Sequence, residues 1–300
     1  MCAQKLSHDE NWPRANTLFT AGLNASDFAL IGIPAHKSSL SPTSAHLTPG
    51  AIREALARYS TFAGSTKTDL TKLAMVDLGD VTDPDFADGE AKVAASVENL
   101  LANHKLVMAL GGDNSITYSV ARGLWKDLSS VGVITFDAHH DLRDGQSNGS
   151  PIWRLIQAGL PGKNIVQIGI SDFANSAAYS KRAEDNGVTV IDRAMMRSQS
   201  IEKIVTDALA IAGANGREIY VDVDVDVCDR SVVPACPAAA PGGISADEIR
   251  QFAFMAGSSP SVIGADITEI DSTKDSSDER TVRLAALVVL ELIAGYSTRE

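Results

Sequence analysis

Short apolar runs recur along the chain, and each gives way at its downstream end to Gly, Pro or polar residues. The run at 28–34, closed by Pro34, predicts a core strand. The same pattern returns at 73–80, 105–110, 131–136, 164–170, 189–191, 218–227 and 262–267. Helical stretches fall between these runs. At 48–56 Thr48 is placed to cap and Pro49 occupies the first turn; further helices are predicted over 90–103, over 115–125 with Ser115 as cap, and over the apolar stretch 281–295. The alternation is unbroken by a Pro/Ser-rich linker or an internal repeat. It predicts one α/β domain over 1–300, a three-layer α/β/α sandwich with a parallel sheet covered by helices on both faces. Sites in such sheets lie at the carboxyl ends of the strands. The loop at 35–48, rich in Ser, His, Pro and Thr, is long enough to suggest a functional role.

Three of the downstream ends carry chemistry. The run at 105–110 ends in Gly111-Gly112-Asp113-Asn114-Ser115, and the run at 131–136 ends in Asp137-Ala138-His139-His140-Asp141. In a strand continuing to Asp141, alternation puts Asp137, His139 and Asp141 on one side. Carboxylates and an imidazole on one face suit a divalent ion such as manganese or zinc. In the third element Asp222, Asp224 and Asp226 alternate with valines and share a strand face. Three carboxylates on a core face repel one another and lose hydration, at a cost of several kcal/mol that a multivalent cation offsets. An exposed acidic face is the alternative, and the valines argue against it. Together these residues supply ligands for two cations sharing carboxylates. Two metals about 3.5–4 Å apart can hold a hydroxide formed at neutral pH, so the pattern predicts metal-assisted hydrolysis.

Composition narrows the partners. Hydrophobic residues make up 44% of the 300 and aromatics 5%, enough for a full core packed mainly by aliphatic side chains. The formal net charge of -12 excludes a nucleic-acid groove or an anionic membrane as the natural partner, and it favours cations. An anionic substrate would need local Arg or Lys. Cys2, Cys228 and Cys236 are too few for a disulfide framework, which points to a reducing, cytoplasmic setting. Cys228 and Cys236 read as two buried small side chains rather than a redox pair. No apolar run reaches the ~18 residues of a membrane span, and the polar stretch 1–14 is not a signal peptide.

The order of GGDNS, DAHHD, DVDVDVCD, then PGG at 241–243 and DITE at 266–269, resembles the ureohydrolase family of arginase, agmatinase and formimidoylglutamase. The resemblance runs from Gly32 to Glu269, and the segments at 140–143, 147–151, 226–229 and 234–237 are most like the formimidoylglutamase branch. It implies an eight-stranded parallel sheet, a homo-oligomer (trimer or hexamer), and two Mn²⁺ per subunit. By resemblance, Asp137 and Asp224 bridge the ions, Asp141 binds the first, and His139 and Asp226 bind the second. Asn114 replaces a histidine ligand of the first ion; its amide oxygen is a poorer donor, which implies a weaker first site. Asp222 stands where the family pattern has serine. Glu269 matches the catalytic carboxylate that pairs with a cationic amidinium or guanidinium group.

The implied reaction is hydrolysis of N-formimino-L-glutamate to L-glutamate and formamide, in histidine breakdown. For that dicarboxylate, Arg143 and Arg154 are candidate carboxylate grips, with Asn148 and Asn175 as further polar candidates. His36, His46 and His140 read as supporting residues. The histidine that arginase carries after its ligand loop is missing here, so the acid for the leaving group is unassigned. A guanidino hydrolase acting on agmatine or a guanidino acid, and a metal-binding relative without turnover, remain as alternatives.

Overall fold

The computed structural model describes residues 9–299. Every predicted strand is present. They are β1 (Ser26–Ile33), β2 (Met75–Asp80), β3 (His104–Gly111), β4 (Val131–Phe136), β5 (Ile165–Ile170), β6 (Thr189–Asp192), β7 (Glu218–Asp224) and β8 (Val262–Thr268). They form one eight-stranded sheet in the order β2-β1-β3-β8-β7-β4-β5-β6. All pairings are parallel. The helices are α1 (Thr48–Leu56), α2 (Phe86–Val97), α3 (Ile116–Leu124), α4 (Pro151–Gln157), α5 (Ala177–Asp185), the single turn α6 (Arg193–Met196), α7 (Ile201–Ala212), α8 (Ala246–Ser258) and α9 (Arg280–Tyr296).

Strand alternation feeds two cores. In β1, Phe28 and Leu30 join α1, α7, α8 and α9 on one face, while Ala29, Ile31 and Ile33 join α2, α3, α4 and α5 on the other. Side chains with a period of two thus bind a helical layer to each face. α9 is buried along nearly its whole length, which accounts for its apolar sequence. Among the described residues no helix is long and apolar enough to cross a membrane.

Several boundaries differ from expectation. The helix predicted over 90–103 begins earlier and ends at Val97; Asn99, at φ 65°, turns the chain into a separate 3-10 turn, Leu100–Ala102. Asn tolerates this left-handed conformation better than most residues. Thr48 is the first helical residue rather than the cap, and its hydroxyl donates to the Ile270 carbonyl (2.5 Å). Ser115 stands at the cap position of α3 but its hydroxyl donates to Asp113. A two-residue ribbon, Phe62–Ala63 with Thr68–Asp69, was not foreseen.

The central strands β3, β8, β7 and β4 are neighbours, so their carboxyl ends meet on one edge of the sheet. Gly112 permits the closest approach there. A Cβ on it would stand 1.9 Å from the Ala35 carbonyl oxygen, so only glycine lets the β3 exit pass beneath the β1 loop.

Candidate metal centre and pocket

Each central strand delivers polar residues to that edge: β3 Asn114, β4 the loop Asp137 to Asp141, β7 Asp224 and Asp226, and β8 Glu269. A cavity of about 400 Å³ opens here, lined by His139, Asp141, Asp224, Asp226 and Glu269, with Arg143 and Asn148 toward its mouth. The candidate ligand residues converge, though not by strand alternation. β4 ends at Phe136, and Asp141 takes φ 52°. β7 ends at Asp224, and Asp226 lies in the 3-10 turn Val225–Val227.

Backbone N–H groups freed by these turns are taken up by the carboxylates themselves. His139 N–H donates to Asp137 Oδ1 (2.6 Å), Ala138 N–H to Asp226 Oδ1 (3.0 Å), and Asp226 N–H to Asp224 Oδ1 (2.8 Å). Each carboxylate is thereby aimed, with its second oxygen directed away from that bond. Asp137 Oδ2 is buried without any partner. His139 Nδ1 lies 2.7 Å from Asp226 Oδ2 and 3.6 Å from Asp137 Oδ1.

The charges show what the cluster lacks. Burial, then the neighbouring Asp226, pushes the Asp137 carboxyl up to about 7. Burial also holds Asp141 and Asp224 well above the usual carboxylate range, with adjacent acids adding to it. Burial alone would lower the pKa of His139, but Asp226 and Asp137 outweigh it and push it up to about 12. Burial likewise opposes ionisation of Asp226, yet His139 keeps its carboxyl below the ordinary value. Buried acids that hold protons, and an orphaned carboxylate oxygen, are what a cation centre presents without its cation. Asp137, His139 and Asp226 each offer a ligand atom within 4.8 Å of the others. The donor set of carboxylate oxygens and one imidazole fits a divalent ion such as manganese.

Asn114 reaches the centre with its amide turned. Nδ2 donates to Asp141 Oδ2 (2.6 Å), while Oδ1 accepts from the Thr268 hydroxyl (3.0 Å) and lies 3.0 Å from the Thr117 hydroxyl, whose proton goes to Asp266. Its nitrogen rather than its oxygen faces the acids, because the carboxylate lies on one side and the hydroxyls on the other. One layer deeper, Asp222 sits beside Asp266 in register, both fully buried. Asp266 Oδ2 accepts from Tyr220 (2.6 Å) and Thr117 (2.8 Å). Burial, then Asp266, holds the Asp222 carboxyl far above its ordinary value, so this pair carries a proton.

Glu269 is buried at φ 66°, a strained conformation for a side chain of its size. Its Oε1 accepts from Asn114 N–H (2.7 Å) and Asn148 Nδ2 (2.8 Å). Burial and the charge of Asp113 push its carboxyl up to about 8. Asn148 is therefore engaged with Glu269, and its Oδ1 also accepts from Leu40 N–H (3.0 Å) in the loop singled out for its length. Arg143 lies exposed at the mouth, and among the described residues nothing pairs with its guanidinium.

Arg154 is not brought to the cavity, contrary to the expectation of a second carboxylate grip. Both its terminal nitrogens donate to Glu90 (2.6 Å each), and its guanidinium stacks 3.8 Å from the centre of the Tyr118 ring. A bidentate, stacked arginine is spent on the α2–α3–α4 layer. Cys228 and Cys236 are buried free thiols, as expected, and Cys2 lies outside the described residues. Sequence reading missed Ala174, Ser176, Tyr179 and Ala238, which also line the cavity and carry no local signature, whereas Ser41 lies in the loop 35–48 singled out by its length.

Comparison with known proteins agrees with this geometry. The chain is 38% identical over 283 residues to a formimidoylglutamase of Halalkalibacterium halodurans, covering 91% of this chain and 88% of that one. The crystal structure of formimidoylglutamase from Bacillus subtilis superposes with a TM-score of 0.93 at 32% identity, covering 99% of this chain and 96% of that one. A structure of Trypanosoma cruzi formiminoglutamase with Mn²⁺ superposes with a TM-score of 0.87 at 26% identity, covering 96% of this chain and all (100%) of the other. The model of the Arginase family matches residues 26–295, and with these likenesses the chain belongs to the Arginase family.

Proposed function

We propose that this protein is a manganese-dependent formimidoylglutamase, cleaving N-formimino-L-glutamate to L-glutamate and formamide in histidine breakdown. The reading is supported by the relatives named above and carried by one observation. The cavity has at its mouth Arg143, a cation unpaired among the described residues, and inside it an anchored carboxylate, Glu269. A substrate with carboxylates at one end and a cationic amidinium at the other matches that order of charges.

Asp137, His139, Asp141, Asp224 and Asp226 would hold manganese, which would supply Lewis acidity and lower the pKa of water. The chain does the rest. Two N–H groups occupy Glu269 Oε1 and leave Oε2 to pair with the amidinium. Asn148 acts on the substrate through Glu269. Arg143 takes a carboxylate, which sets the distance from mouth to amidinium carbon. Hydrolysis of the amidinium adds one water: its oxygen becomes the formamide carbonyl, and its two protons end on the glutamate nitrogen, which leaves as an ammonium when the C–N bond breaks.

Two ions per subunit, with unequal affinities, form part of the same reading. Asp137, His139 and Asp226 are already drawn together for the second ion. The first relies on Asp141, the shared carboxylates and Asn114, whose oxygen already accepts from the Thr268 hydroxyl. The family likeness extends the reading to a single-domain, cytoplasmic homo-oligomer, a trimer or hexamer, and the acidic net charge fits a small-molecule substrate rather than nucleic acid or membrane.

Turnover of formiminoglutamate, agmatine and arginine with added Mn²⁺ tests the proposal. Formiminoglutamate should be strongly preferred. Preference for agmatine, which carries no carboxylate, would leave Arg143 without a role and overturn the assignment; no turnover of any would favour a metal-binding relative.

A further inference from the structure

Beyond Asp137, whose N–H still donates to the Ile168 carbonyl of β5 (3.1 Å), the loop carrying His139 leaves the sheet, so its peptide groups must be held by other means. One side chain holds two of them. Asn175 Nδ2 donates to the Ala138 carbonyl (2.9 Å), and Asn175 Oδ1 accepts from His140 N–H (2.9 Å). These groups belong to the two peptide planes on either side of His139. The rotation between those planes is φ and ψ of His139, and it sets where the imidazole points. Asn175 thus clamps the backbone of the one imidazole in the ligand set.

Neighbouring contacts reinforce the clamp. Ser171 N–H also donates to the Ala138 carbonyl (3.0 Å), and Gln167 Nε2 donates to the His140 carbonyl (2.9 Å). Phe173, at φ 65°, turns the loop between β5 and α5 between Ser171 and Asn175, the two residues that reach Ala138. The Phe173 side chain is fully exposed, so the turn is held by the backbone, where Ala174 N–H donates to the Ser171 carbonyl (3.3 Å). Asn175 also lines the cavity wall, where sequence reading makes it a candidate for substrate. Both of its polar atoms are already engaged on the backbone.

We propose that Asn175 is a positioning residue of the metal centre, fixing the direction of His139 by bridging the peptide groups on either side of it, and is not a substrate contact. The proposal rests on the reading of the site as a manganese centre. Residues that orient metal ligands commonly change metal affinity by about 10–100-fold when removed.

The test is Asn175→Ala, with Mn²⁺ binding followed by calorimetry and by the electron paramagnetic resonance of free Mn²⁺. The expected result has three parts: Mn²⁺ bound at least roughly tenfold more weakly, the thermal midpoint of the metal-free protein lowered by no more than a few degrees, and KM for formiminoglutamate near the parent value once Mn²⁺ saturates. A raised KM with parental Mn²⁺ affinity would make Asn175 a substrate contact and overturn the proposal. A lowered midpoint with parental affinity would reduce it to general stability and overturn it equally. If Asn175→Ala does not fold, Asn175→Ser, polar but too short to span both groups, is measured against the same outcomes. A parent protein that takes up no Mn²⁺ would remove the manganese reading itself, and the proposal with it.

Discussion

His139 Nδ1 and Asp226 Oδ2 stand 2.7 Å apart, a proton's distance in a place built for a larger cation. Without metal, the imidazole is kept charged by Asp226 and Asp137. An incoming ion must displace that proton, because only neutral imidazole coordinates. Uptake of Mn²⁺ should therefore release at least one proton per occupied His139 site and tighten as pH rises. Calorimetry in buffers of different ionisation enthalpy measures the release; identical heats in all buffers would contradict it.

Among the described residues Arg143 has no partner of its own to satisfy, so its removal should be felt by the substrate alone. Arg143→Ala is expected to raise KM for formiminoglutamate at least tenfold, with kcat less affected, since a charge-assisted bond to a carboxylate contributes roughly 1.5–3 kcal/mol. Steady-state kinetics at saturating Mn²⁺ check this, and an unchanged KM would remove Arg143 from the pocket.

Asn114 donates to Asp141 through nitrogen, a use of the side chain that gives nothing to a cation. Asn114→His should tighten the weaker ion by replacing that donor with an imidazole nitrogen. In the unmodified protein, one ion should fill before the other, and activity should climb further with excess Mn²⁺. Manganese titration with activity followed in parallel decides; two equally tight ions at pH 7 would sink the idea.

Asp222 offers a test that needs no metal. Its folded carboxyl holds its proton to far higher pH than the ordinary value of 3.8. As pH rises above about 4, the unfolded chain gives up this proton first, so stability falls with rising pH until the folded group also ionises. Asp222→Asn keeps a donor for Asp266 and removes that loss. The variant should match the metal-free parent near pH 4 and melt a few degrees higher near neutrality. Thermal melts of both proteins across that range measure the difference, and parallel curves would refute it.

The sheet was legible because apolar runs and polar exits alternate, and the centre because two strong ligand types, Asp and His, crowd into 137–141. The reason for convergence was not. Alternation would place Asp137, His139 and Asp141 together in a strand, whereas the chain places them through a turn with Asp141 at positive φ. Arg154 shows another limit: Glu90 captures it from 64 residues away, and no local pattern announces that bond. The amide of Asn114 is oriented by Asp141 and Thr268, and the role of Asn175 depends on backbone groups of another loop. Residue types near a site can be read from the chain, but which end of an amide faces it is settled by contacts distant in sequence.

In each of the four acids at the centre, one oxygen is already occupied by an N–H group: backbone amides for Asp137, Asp224 and Asp226, and the Asn114 amide for Asp141. Each can then meet an ion end-on and is poorly placed to chelate it. Calcium favours bidentate carboxylates and about six to eight oxygen ligands at longer distances. A transition ion that accepts single oxygens and an imidazole loses little by the same restriction. The hydrogen bonds that shape the loops thus act as a filter on denticity, and calcium should compete poorly for this centre even when abundant.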